Sequence, residues 1–188
     1  MGEHRYSVSR MIAVSSALGG LAAVFEALPF DVPFPPYPRI TFDPSGIPIV
    51  LSLLMTGFIP SVYTTLIGAS MIFYRGNIFG GIFKIIAELS TLVGLQALIK
   101  KKIYLSSISS LATRITIMTV ANYFLLPLFY GLPLKIVVPL LPLIAIFNLI
   151  QGALNIGIAY VIYVRIPPTL KIAYLHRPQS KKLVRAKV

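Results

Sequence analysis

The sequence predicts an all-α membrane protein, a six transmembrane helix bundle with N- and C-termini cytoplasmic. Three observations predict it. Of the 188 residues, 56% are hydrophobic and 12% are charged, with a mean hydropathy of +0.84; soluble domains are about 45–50% apolar and about 25% charged. Apolar runs near the roughly 20 residues that cross a bilayer recur along the chain. Lysine and arginine gather in those segments that an alternating arrangement places on one side. A single water-soluble core of this size could not hide so much apolar surface. Cysteine is absent, which excludes disulfides, thiolate metal sites and cysteine nucleophiles.

The first helix is expected from Met11 to Leu28. It has no Ala-x-Ala exit and runs into a proline-rich loop, so it reads as a retained helix rather than a cleaved leader. The second is expected from Pro44 to Phe58, the third from Pro60 to Tyr74, and the fourth from Ile78 to Ile99, stopping at Lys100-Lys101-Lys102. The fifth runs from Ser107 to Tyr130, and the sixth begins between Val137 and Leu143, where Pro139 and Pro142 blur its start, and ends at Tyr163. Residues 1–166 are thus expected to form a six-helix transmembrane domain and residues 167–188 a basic cytoplasmic tail. The second and third helices hold about 15 residues each, or roughly 23 Å at 1.5 Å per residue, against a hydrocarbon core of about 30 Å. Such short, Gly/Pro-interrupted segments often lie near a transporter's binding site, and they also occur as ordinary helices in a thinned region.

With the N-terminus in the cytoplasm, twelve of the seventeen basic residues fall inside, namely Arg5, Arg10, the three lysines after helix four and seven tail residues. Three, Arg39, Arg75 and Lys135, fall outside, and Lys84 and Arg114 lie within helices. The net charge of +12 therefore serves to orient the chain and to meet anionic lipid, not nucleic acid. Both histidines, His4 and His176, are in the terminal tails, and neither a metalloprotease, nucleophile-elbow nor phosphate-loop motif is present. Binding or transport is the stronger reading, and an enzyme the weaker.

Polar residues inside apolar helices are costly and tend to face protein or a watery cavity. Lys84 and Glu88 are four apart on one face of helix four, where each charge can offset the other. Helix five carries Arg114 and Asn122; helix six carries Asn148, Gln151 and Asn155 along one stripe. Counting from the outer helix ends places Lys84, Glu88, Asn122, Asn148 and Gln151 in one layer of the outer half, among Phe83, Tyr123, Phe124 and Phe147, a setting that suits a planar polar small molecule. Arg114 is expected in the inner half, apart from this cluster and free to snorkel to the cytoplasmic interface. The plainer alternatives are interhelical hydrogen-bond glue and a structural ion pair.

Residues 29–43 hold five prolines, four aromatics and two aspartates. They read as a lid, with Asp31, Arg39 and Asp43 as its polar contacts, or as a passive linker. In helix one, Ala13-x-x-x-Ala17, Ser16-x-x-x-Gly20 and Gly19-x-x-x-Ala23 form small-residue faces that another helix can approach closely, within the bundle or from a separate subunit.

An ordered set of motifs spans most of residues 10–165: Ile40-Thr-Phe-Asp43-x-Ser-x-Ile-Pro48, Glu88-Leu-Ser, Asn122-Tyr-Phe-x-x-Pro127-x-x-Tyr130 and Phe147-Asn148-Leu-Ile-Gln151-Gly152. Together they resemble the substrate-binding S component of energy-coupling factor (ECF) vitamin transporters, the riboflavin type most closely. The resemblance implies a six-helix bundle in the cell membrane that binds a vitamin from outside, with riboflavin as transported ligand and no cofactor. It implies as partners a transmembrane coupling subunit and two cytoplasmic ATPases. It assigns Asn122 and Asn148 to the ligand and Ala13 and Ala17 to the coupling-subunit interface. The family usually has lysine where this chain has Gln151, and asparagine where it has Thr91, so a flavin analogue or another heteroaromatic vitamin stays open. The substrate-binding set is then Asn122, Asn148, Gln151, Glu88, Lys84 and Asp43. Two other classes remain as alternatives: a stand-alone secondary transporter or channel, and a structural assembly protein whose polar stripe only joins helices.

Overall fold

A computed structural model describes residues 8–28, 32–38 and 40–167. It has six helices, α1 (Val8–Ala27), α2 (Gly46–Thr56), α3 (Phe58–Tyr74), α4 (Ile78–Leu98), α5 (Ile103–Tyr130) and α6 (Leu134–Arg165), with a hairpin of β1 (Val32–Pro33) and β2 (Thr41–Phe42) between α1 and α2. Four helices, α1, α4, α5 and α6, are long and apolar enough to cross a membrane. Their outward faces carry large apolar side chains in the open, such as Phe124, Leu128 and Val161. A surface like that is stable against lipid and unstable against water.

The 11 residues of α2 extend roughly 17 Å, too little to cross a bilayer. All of them except Ile47 are buried. This helix is the axis of the molecule. Ile49, Val50, Leu53 and Leu54 meet Leu92 and Leu95 of α4 and Ile156 and Ala159 of α6. Its own polar groups are satisfied locally: Thr56 Oγ1 donates to the Ser52 carbonyl (2.7 Å), and Thr64 Oγ1 of α3 donates to Ser52 Oγ (2.8 Å). Gly57 joins α2 to α3 in a single residue at φ 96°, a conformation that only glycine adopts readily.

Around this axis α1 packs along α3, α3 on α4, α4 along α5 and α5 along α6. Small residues set these approaches. A methyl on Gly68 would come 2.9 Å from Ala22 Cβ, and one on Gly94 would come 2.5 Å from Ser110 Cα. Lipid tails are as apolar as leucine, so close van der Waals packing of this kind must hold such helices together. Ser110 Oγ adds a bond to the Thr91 carbonyl at 2.7 Å.

Several expected boundaries shifted by one to three residues, and two further shifts matter for the site. Helix five begins at Ile103, a turn before the expected Ser107, and α6 begins at Leu134, before both of its prolines. Pro139 and Pro142 lie inside α6; membrane helices tolerate proline better than soluble ones do. At the far end of α5, Gly131 takes φ 63° and donates its N–H to the Pro127 carbonyl, ending the helix in a left-handed cap.

The residues of the expected lid are structured where they are described. Val32 pairs with Phe42 and Pro33 with Thr41 in antiparallel register. The turn is closed by Tyr37 N–H to the Phe34 carbonyl and Ile40 N–H to the Tyr37 carbonyl. Phe34, buried, Phe42 and Phe147 of α6 form a three-ring cluster with centroids 5.0–5.8 Å apart. These rings fasten the hairpin onto α6. Asp31, Arg39 and the tail beyond Pro167 lie outside the described residues.

Candidate functional site

Beneath the hairpin is a cavity of about 760 Å³. Its walls are the C-terminal ends of α1, α3 and α5 and the N-terminal halves of α4 and α6, and Tyr37, Ile40, Thr41 and Asp43 of the hairpin segment complete it. Antiparallel neighbours bring these ends to one side of the bundle. Phe83 and Phe147 contribute aromatic wall, and Lys84, Arg114, Asn122, Asn148 and Gln151 contribute polar wall.

Five charged side chains form one network along this wall. The Lys84 ammonium lies 2.7 Å from Asp43, 3.1 Å from Glu26 and 3.8 Å from Glu88. The expected i,i+4 pair with Glu88 is thus its longest contact. Its closest partners come from the base of the hairpin and the end of α1. The Ser45 hydroxyl, with one proton, reaches the carboxylates of both Glu26 and Asp43. Burial pushes the Asp43 carboxyl up, but the Lys84 ammonium and the Ser45 hydroxyl and N–H outweigh it and hold the group below its ordinary value. Arg75, at the end of α3, donates Nη1 to the Glu26 carbonyl at 2.7 Å, so a cation caps the C-terminus of α1.

Arg114 is a correction. It does not snorkel: it is 2% exposed and stands at the centre of the cluster. Nη1 bonds Glu88 Oε1 (3.2 Å), Thr91 Oγ1 (2.8 Å) and the Ala87 carbonyl (3.4 Å), while Nε bonds Asn148 Oδ1 (3.2 Å). One guanidinium therefore joins α4, α5 and α6. The expected depth failed because α6 starts at Leu134, which places Asn148 about 21 Å along that helix instead of about 12 Å. Asn148 is thus deeper than expected and meets Arg114, while Lys84, Glu88 and Asn122 keep their expected distances from the outer helix ends. Gly152 makes the arrangement possible, since a methyl there would lie 3.1 Å from Arg114 Cδ.

The other expected site residues divide by what they touch. Asn122 lines the cavity and donates Nδ2 to the Met118 carbonyl (2.7 Å). Asn148 lines it too, but its amide is engaged on both sides, with Nδ2 on the Ile144 carbonyl (2.9 Å) and Oδ1 on Arg114. Gln151 donates Nε2 to the Asp43 carbonyl (2.7 Å) and to Asn155 Oδ1 (3.1 Å), tying α6 to the base of the hairpin. Glu88 is fully buried behind the wall, off the cavity surface. Asn155, the last member of the expected stripe, turns away from the cavity and abuts Gly46, where an added methyl would lie 1.9 Å from its Nδ2.

Glu26, Ser45 and Tyr37 were missed. A carboxylate two residues from the end of an apolar helix is itself a signal of a polar partner within the membrane, and it marks Glu26. Nothing local marks Ser45 or Tyr37, whose place depends on the fold of the hairpin. On the far side of α1, Ala13, Ser16, Ala17 and Gly20 are exposed, while Ser15, Gly19 and Ala22 pack inward. The described small-residue stripe thus has an unoccupied half.

No protein-family model matches the sequence, and no curated protein matches it. Among solved structures, the chain is similar to the S component of a bacterial ECF transporter, with a TM-score of 0.72 and 24% sequence identity over 84% of this chain and 95% of that one. The two share a fold across nearly the whole of the solved chain.

Proposed function

We propose that this chain is the membrane substrate-binding (S) component of an ECF-type importer, and that it binds riboflavin or a related heteroaromatic vitamin. One observation carries the reading: a cavity of about 760 Å³, roofed by an aromatic hairpin and walled on one side by amides and charges, in a bundle with the fold of an S component. Ligand sites are concave, mostly apolar and of about 300–1,000 Å³, with a few placed polar groups. Riboflavin pairs a flat ring system with polar edges, which matches Phe83 and Phe147 beside Asn122 and Gln151.

In this reading Asn122, Asn148 and Gln151 face the ligand. Lys84, Glu88 and Asp43 hold the wall and the base of the hairpin in place. The hairpin closes over the outer mouth. The hairpin end faces outward, and the Lys100–Lys102 turn, with the chain termini, faces the cytoplasm, as the charge bias favours. The exposed small face of α1, with Ala13 and Ala17, docks the transmembrane coupling subunit. The two cytoplasmic ATPases supply the energy, since no phosphate-loop motif is present in this chain.

Purified protein titrated with riboflavin, followed by quenching of flavin fluorescence, tests the proposal. Saturable one-to-one quenching is expected. No saturable quenching, with none of the yellow chromophore co-purifying, overturns the riboflavin assignment.

A further inference from the structure

A guanidinium has five N–H donors and is charged at every accessible pH. In Arg114, Nε is taken by Asn148 and Nη1 by Glu88, Thr91 and Ala87. Nη2 has no hydrogen-bond partner among the described residues, and Arg114 lines the cavity. The side chain is also locked: Glu88 and Thr91 hold it from α4, Asn148 from α6, and Gly152 leaves the groove in which its methylenes lie. This is a fixed donor edge left unpaired on the cavity wall, between amides on one side and aromatic rings on the other.

We infer that Arg114 determines specificity in this cavity, its Nη2 edge donating to a carbonyl oxygen on a planar ring ligand. The inference rests on reading the cavity as a ligand site and names the chemical group it selects. A neutral carbonyl suits the charge of the site better than an anion. Among the described residues, Glu26, Asp43 and Glu88 already match Lys84, Arg114 and Arg75 in number, so none of these cations is left over to offset an anionic ring. Phe83 and Phe147 in the walls favour a flat ring next to the donor edge.

The test is a titration panel of three flat tricyclic compounds: riboflavin, lumichrome (which keeps the ring carbonyls without the side chain) and phenazine (which has none). Each is measured by calorimetry on wild type and on Arg114→Lys, which keeps the charge beside Glu88 but loses the Nη2 edge. If Arg114→Lys does not fold, Glu88→Gln/Arg114→Gln removes both buried charges and carries the same test. We expect lumichrome to bind wild type, phenazine to bind at least tenfold more weakly, and the variant to lose about 10- to 100-fold for lumichrome with its phenazine affinity unchanged, the range for one hydrogen bond to a charged group. Equal lumichrome affinity in wild type and variant overturns the inference; so does phenazine binding as tightly as lumichrome, or no carbonyl-bearing ring binding wild type. If lumichrome binds through Arg114 and riboflavin does not bind, the inference stands and the riboflavin assignment falls. If riboflavin binds both proteins equally, the assignment stands and the inference falls.

Discussion

The Lys84 ammonium lies 2.7 Å from the Asp43 carboxylate and ties the N-terminal third of α4 to the base of the hairpin. The same ammonium is 3.1 Å from Glu26, so one side chain fastens the end of α1 as well. Lys84→Met leaves Glu26 and Asp43 facing each other across Ser45 with no cation between them. Breaking a buried pair from one side costs about 3–5 kcal/mol. Lys84→Met is therefore expected to lower the stability of detergent-solubilised protein by about that much, and Lys84→Arg by clearly less. Equal loss in both variants, read from denaturant unfolding followed by helical circular dichroism, would show that the site is sensitive to shape and not to charge.

The same contact has a pH dependence. Asp43 is held below its ordinary value in the folded protein, and unfolding returns it to about 3.9. The unfolded state thus takes up the proton first as pH falls. The stabilisation is fully present above the unfolded value and is lost as pH drops through the lower folded one. The stability difference between wild type and Asp43→Asn should stay constant from pH 7 to about pH 5 and shrink below about pH 4. A difference that already changes between pH 7 and pH 5 would mean that Asp43 titrates higher than its contacts dictate.

The membrane class, the six helices and the ordered motifs were legible because each is a local property: a run of apolar residues, a charge break, a polar residue every third or fourth position. The start of α6 was not, because Pro139 and Pro142 send a stop signal that the fold overrides. That shift hid the depth of Asn148 and separated Arg114 from the cluster on paper. Nothing in the neighbourhood of Arg114 along the chain announces its partners, which sit 23 residues back at Thr91, 26 back at Glu88 and 34 forward at Asn148. The assignment of Asn148 also needs adjusting. With its amide held by Ile144 and Arg114, Asn148→Leu is expected to act on the ligand partly through a displaced guanidinium.

Gly46 begins α2 in contact with Asn155, whose Nδ2 would lie 1.9 Å from an added methyl. Because Asn155 Oδ1 accepts from Gln151, and Gln151 also holds the Asp43 carbonyl, a methyl at 46 pushes on the whole α6 side of the cavity. Overpacking of this kind costs about 1–3 kcal/mol. Gly46→Ala should lose stability in that range, and Asn155→Ala, which clears the space, should restore part of it in the double variant. Strict additivity in the double-mutant cycle would show that the two residues do not press on each other.

If the exposed half of the α1 stripe docks a coupling subunit, as proposed, a change there separates binding from transport. Ala13 and Ala17 face away from the cavity and touch neither the charge network nor the hairpin. A tryptophan at Ala13 adds bulk where close helix approach needs small side chains, yet leaves the ligand cavity intact. Ala13→Trp is expected to keep wild-type riboflavin affinity in purified form. In cells that carry the coupling subunit and ATPases it should lower riboflavin uptake at least tenfold. Uptake at the wild-type rate would place the partner on another face of the bundle. Loss of affinity together with uptake would mean that α1 transmits strain to the cavity through Glu26, which Lys84 and Ser45 tie to the polar wall.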